Sequence, residues 1–197
     1  SSMKDTVAKL VKSMVTGNPA HDMDEGRKLS REIIDKVWEL GATISMVPEE
    51  FGGYGMEYSP IMNTILLEEL AAGDMAISIA ATLPSAFIFT ILQMGTDEQK
   101  KNYLPLYCDP AYKACTIAVN EPRFGFDAVS LETKAQKNAS KYILNGKKCF
   151  VPQAKDSGHI LVAANADGKM DLFIVEGNNP GLKIGEREKN LGLYALE

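Results

Sequence analysis

The residues of this chain best suited to chemistry lie between Cys115 and Asp127, in the stretch CTIAVNEPRFGFD. An apolar, strand-like run ends at Asn120-Glu121-Pro122, and a bend follows at Gly125. Backbone amides exposed at such a bend can meet a phosphate or the polar edge of a ring. Any strand that leaves a sheet for a loop has the same look, so the segment alone does not name a ligand. Other candidates fare less well. His21 sits in a polar stretch and His159 opens an apolar one, placements that suit structural histidines. No HExxH, GxSxG or Walker sequence occurs. Gly53-Tyr54-Gly55 has neither a preceding strand nor a third glycine, so it reads as a loop rather than a dinucleotide-binding turn. Cys149 follows Lys147 and Lys148, whose charge favours a thiolate, but a buried strand cysteine is the plainer reading. Glu68 and Glu69 are neighbours on a predicted helix and point apart, which leaves them on a solvated face rather than in an acid–base pair.

Composition narrows the class. The 197 residues carry 21 Lys+Arg against 26 Asp+Glu, a net charge of −5 that argues against a general nucleic-acid binder. At 45% hydrophobic residues the chain is too apolar for intrinsic disorder. Cys108, Cys115 and Cys149 cannot all pair and lack metal-ligand spacing, so no metal site is expected and a reducing, cytoplasmic setting is. The opening Ser1-Ser2-Met3-Lys4 has no apolar run of the kind a secretory signal needs.

The elements that must hold the Cys115–Asp127 segment fall into two halves. Through Tyr112 the net charge is −7, and from Lys113 onward it is +2. The first half reads as helices. Met3 to Val15 and Asp24 to Leu40 repeat apolar residues every three or four positions, and Gly41 supplies a stop. Pro48 to Tyr58 is a glycine-rich loop, Ser59-Pro60 starts a helix to about Gly73, and Thr96 with Gln99 forms a capping box. Between them, Met75 to Thr96 carries no charge and is long enough to span a bilayer. Its polar interruptions and acidic flanks favour the central helix of a bundle over a membrane span. The second half reads as strands: Ser130 to Gln136, then Tyr142–Leu144 and Lys147–Val151 around an Asn145-Gly146 hairpin turn, then His159–Ala164 and Met170–Glu176 around Asp167-Gly168. The expectation is an α+β chain, with an N-terminal all-α helical bundle domain over 1–112 and an antiparallel β-barrel or sandwich domain over 113–197.

The order PEEFGGYGMEY, ILLEELAAGD, GTDEQKKNYLP, VNEPRFGFDAVSLETKA and YILNGKKCFVPQA resembles the acyl-CoA dehydrogenase family from about Asp24 to the end. The resemblance implies an oxidoreductase and flavoprotein of fatty acid metabolism that uses FAD. Such a protein takes a proton from the α-carbon of an acyl-CoA substrate while the flavin accepts hydride from the β-carbon. It further implies a homo-oligomer, an electron-transfer flavoprotein-type acceptor, and a C-terminal four-helix domain carrying the glutamate base. That domain is missing from these residues, so no catalytic residue is assigned and the chain alone is expected to be inactive. Flavin-free scaffold members, and monooxygenases or oxidases on the same fold, are the alternatives.

Carried over residue by residue, the resemblance makes Ile117, Val119, Asn120, Gly125, Phe126, Phe150, Val151 and Pro152 the cofactor-binding wall, with Phe126 and Asp127 facing substrate as well. The family's segment is Thr-Glu-Pro, two small residues, then Gly-Ser-Asp. Here Asn120 replaces the threonine, Arg123-Phe124 the small pair and Phe126 the serine, while Glu121, Pro122, Gly125 and Asp127 match. Asn120 still offers a donor and an acceptor, and Phe150 can cover a ring face. Phe126 supplies no hydroxyl. Pro152 stands where the family has threonine, and removes both a hydroxyl and a backbone N–H.

Overall fold

The computed structural model describes residues 2–15, 19–26, 28–187 and 193–196. The chain forms two compact units, Ser1–Ala114 together with Lys189–Glu197, and Cys115–Glu188.

Among the described residues the first unit holds seven α-helices: α1 (Ser2–Val15), α2 (Pro19–Gly26), α3 (Arg31–Glu39), α4 (Ala42–Ser45), α5 (Pro60–Gly73), α6 (Met75–Met94) and α7 (Asp97–Tyr103). The periodic run expected over Asp24–Leu40 is thus split. Ser30 caps a new helix, its side chain accepting from the Ile33 amide, and α3 turns Ile34, Val37 and Trp38 inward. Ser59 caps α5 with Pro60 in its first turn, and both halves of the Thr96–Gln99 capping box are made. At the other end of the chain, the Tyr194 amide donates to Asp24 Oδ1 at 2.8 Å, within this same unit.

Helix α6 is the core of the helical unit. Among the described residues it alone is long and apolar enough to cross a membrane, yet Ile77, Phe87 and Ile88 are fully buried against its neighbours. It contains Pro84, which has no N–H to give to the carbonyl of Ala80 one turn earlier. The Tyr112 hydroxyl donates to that carbonyl instead, at 2.8 Å. Tyr112 meets the ring of Trp38 edge-on, and the Trp38 indole N–H donates to the Asp109 carbonyl at 2.9 Å.

The second unit is a five-stranded sheet: β1 (Cys115–Ala118), β2 (Lys134–Asn138), β3 (Lys141–Asn145), β4 (His159–Ala166) and β5 (Lys169–Glu176). Helices first and sheet second is the order the sequence leads one to expect. The sheet, however, is mixed rather than antiparallel. β5 runs antiparallel to β4 along its whole length, so β1 and β2 must share the other edge of β4, end to end and both parallel to it. Parallel neighbours come from long crossovers, which leave no turn signature between adjacent runs.

Of the two hairpins, one forms as expected and one does not. Asp167-Gly168 is the β4–β5 turn, with both residues at positive φ as a type I′ turn requires. Asn145-Gly146 is no turn. The β2–β3 hairpin closes at Ala139-Ser140, and Lys147–Val151 is irregular rather than a strand. Gly146 serves close approach instead, since a Cβ there would lie 2.4 Å from Thr133 Oγ1 and 2.6 Å from its Cα. The expected strand over Ser130–Gln136 begins only at Lys134.

Candidate functional site

The shared edge of β4 creates the site. β1 ends with Ala118 opposite Val162, and β2 begins with Lys134 opposite Asn165. Only Ala163 and Ala164 of β4 lie between those partners, a step of roughly 10 Å. The intervening segment 119–133 must therefore leave the sheet and return to almost the same place. All the residues expected between Val119 and Asp127 ride on this excursion.

Glu121 closes the neck of the loop. It is buried, and its carboxylate accepts the Glu132 amide at 2.7 Å and the Thr133 amide at 2.8 Å. The Lys148 ammonium reaches the same carboxylate at 3.0 Å and the Val119 carbonyl at 2.9 Å. Burial pushes the Glu121 carboxyl up, but hydrogen bonds from Thr133, Glu132 and Lys148 outweigh it and bring the pKa to about 2. The Glu121 carboxylate is therefore ionised, and both partners of the contact are withdrawn from water.

Farther out, Arg123 staples the loop to itself. Its guanidinium donates to the Ser130 carbonyl and lies 3.7 Å from Glu132 Oε1. Phe124 next to it is fully exposed. Asp127, expected to face substrate, accepts the Val129 amide at 3.0 Å and so caps a turn of its own loop. Gly125 is exposed at φ +64 and Phe126 is half-buried.

The second expected segment meets the first at one bond. The Cys149 amide donates to the Asn120 carbonyl at 3.0 Å. Asn120 is exposed, and Phe150, directly after Cys149, is 61% exposed with φ +51. A bulky residue in the left-handed region is strained, and such strain gathers at ligand-holding positions. Ile117, Val119, Val151 and Pro152 are half-buried. The structure thus brings Asn120 and Phe150 together. Gly125–Asp127 lie midway along the excursion, several residues from either of its ends.

Sequence reading passes over Glu121 and Lys148. Glu121 counts there as a matched letter, and Lys148 as a neighbour of Cys149. Neither pattern nor spacing signals their pairing, because they are 27 residues apart. His159 is half-buried at the start of β4, opposite Glu176; burial lowers its pKa and Glu176 raises it, with burial the larger effect. No cluster of metal-ligating side chains occurs among the described residues.

Two compact units in this order, with a pinned excursion on a mixed sheet, define a helical-plus-sheet scaffold. Residues 1–110 match the family model for the acyl-CoA dehydrogenase N-terminal domain, and residues 116–197 match that for the middle domain. The chain therefore belongs to the acyl-CoA dehydrogenase family. It is 30% identical over 179 residues to the short/branched chain specific acyl-CoA dehydrogenase, mitochondrial, of Bos taurus, covering 88% of this chain and 40% of that protein. Among solved structures it resembles butyryl-CoA dehydrogenase from Megasphaera elsdenii, with a TM-score of 0.79 and 26% identity over 100% of this chain and 54% of that one. It also resembles the prolyl acyl carrier protein oxidase AnaB, with a TM-score of 0.81 and 26% identity over 100% of this chain and 53% of that one. The chain spans about half the length of these relatives or less.

Proposed function

We propose that this chain supplies the helical and sheet domains of a flavin-dependent acyl-CoA dehydrogenase with FAD as cofactor. The observation that carries the reading is the bond from the Cys149 amide to the Asn120 carbonyl, which holds the backbone of exposed Asn120 one residue away from exposed Phe150. A planar heterocycle with a polar edge suits that pairing: Asn120 would meet the edge, and Phe150 would cover a face and exclude water. Phe126 supplies no hydroxyl and Pro152 neither a hydroxyl nor a backbone N–H, so the reading rests on the ring contacts of Asn120 and Phe150. FAD, when bound, accepts hydride from the β-carbon of the acyl thioester. No carboxylate of this chain is assigned the proton abstraction. An acyl-CoA substrate, an electron-transfer flavoprotein-type acceptor, homo-oligomerisation and a reducing, cytoplasmic setting belong to the same proposal.

The hydroxyl missing at Phe126 and the hydroxyl and N–H missing at Pro152 favour a second reading, a flavin-free scaffold. The likeness to an acyl carrier protein oxidase favours a third, oxidase chemistry on this fold. The visible spectrum of the complete gene product, purified and then incubated with FAD, separates these readings. A retained flavin band bleached anaerobically by an acyl-CoA supports the dehydrogenase. A bleached band that oxygen restores with release of hydrogen peroxide favours the oxidase, and no band under either condition favours the scaffold.

A further inference from the structure

We infer that the buried Glu121–Lys148 pair is the device that positions both halves of the cofactor wall, so that Lys148 and Glu121 are positioning residues for the ring that Asn120 and Phe150 meet. The inference rests on the flavin reading above for its functional half. Its structural half stands on geometry alone.

Three backbone segments that no strand ladder joins at this point converge on one ion pair. Lys148 holds the Val119 carbonyl and the Glu121 carboxylate, one residue on either side of Asn120. The Cys149 amide takes the carbonyl of Asn120 itself. Asn120 is therefore fixed before, at and after its own position by two consecutive residues, Lys148 and Cys149, and Phe150 is the next residue along. Glu121 in turn ties this knot to Glu132 and Thr133, where the excursion rejoins the sheet. The lysine and glutamate side chains are 10% and 1% exposed, so water cannot replace either partner cheaply. An apolar pair of the same size would fill the space, but it could not bond a carbonyl and two amides at once. What the ions contribute is a fixed relation between the two loops.

The test uses three forms of the complete gene product: wild type, Lys148→Met, and the double variant Glu121→Leu/Lys148→Met, which removes both charges together and so leaves no unpaired ion buried. Amide hydrogen exchange is read over 119–133 and 147–152, with β4 and β5 as an internal reference. FAD affinity is read by quenching of flavin fluorescence. The expected result is faster exchange in both loops with β4 and β5 unchanged, and FAD affinity roughly tenfold weaker or worse in every folded variant, even where the double variant melts as the wild type does. Unchanged loop exchange in a folded variant would overturn the inference. So would wild-type FAD affinity in the double variant, since the pair would then matter only to folding. A wild type that binds no FAD refutes the flavin reading, and the exchange experiment still decides whether the pair holds the two loops.

Discussion

The hydroxyl of Tyr112 donates to the carbonyl of Ala80, the acceptor that Pro84 leaves without a helical partner. A proline inside a long apolar helix would ordinarily leave a buried carbonyl unpaired, at a penalty of roughly 1–3 kcal/mol. Here a side chain from beyond the last helix fills the gap. Tyr112→Phe is expected to destabilise the helical unit by about 1–2 kcal/mol. In a Pro84→Ala background, where residue 84 regains an N–H, the same substitution should be nearly neutral. Thermal or denaturant melts of the four forms give the coupling, and an additive cycle would sink this account.

Gly146 is the second position where packing sets residue choice. Gly146→Ala places a methyl group against both the hydroxyl and the backbone of Thr133, and neither is the free end of a long side chain. The expected loss is about 1–3 kcal/mol. Gly168→Ala, in open space but at φ +84, strains only the turn and should lose about 1 kcal/mol. Denaturant midpoints that ranked these two the other way would contradict the roles assigned to the two glycines.

Glu121 predicts a specific acid sensitivity. Its carboxyl is lowered from an ordinary value of 4.5 to about 2. A depressed acid contributes stability that is fully present above the unfolded value and is lost as pH falls through the folded one. The window therefore runs from about pH 4.5 down to about pH 2, and the whole effect is on the order of 3 kcal/mol. Melting temperatures measured at pH 6 and pH 3 should fall less in Glu121→Gln than in the wild type. Equal falls would mean that other carboxylates carry the acid response.

Pro152→Thr tests the cofactor wall from the opposite direction, by adding groups rather than removing them. The substitution returns a hydroxyl and a backbone N–H beside the exposed ring of Phe150. One new hydrogen bond of about 1 kcal/mol corresponds to roughly fivefold tighter FAD binding, measured by fluorescence titration of the complete gene product. Phe150→Ala is expected to weaken binding by a comparable factor through lost stacking. If neither change moves the affinity, the flavin does not lie against this segment.

Local signals were legible where a single residue's own geometry decides the outcome. Ser59-Pro60, the Thr96–Gln99 box and the Asp167-Gly168 turn each act within four residues, and each forms as its sequence suggests. The apolar character of α6 also foretold its buried place, since a helix without a polar face must find cover on most sides. The same local reading misassigned Asn145-Gly146, whose glycine answers to Thr133 rather than to a turn. For the site, the order of motifs brought attention to Asn120 and Phe150 but gave no role to the charges beneath them.

What the sequence by itself determined is therefore most of the long helices, the caps at Ser59 and Thr96 and the helical-then-sheet order, because these depend on propensity and periodicity along the chain. Tertiary structure alone decided that β1 and β2 share one edge of β4, which throws residues 119–133 out as a loop. It also decided that Glu121 and Lys148 meet under that loop. Strand order and buried ion pairs join residues far apart in the chain, and their free energy exists only once the sheet has brought those residues together. No local pattern encodes them.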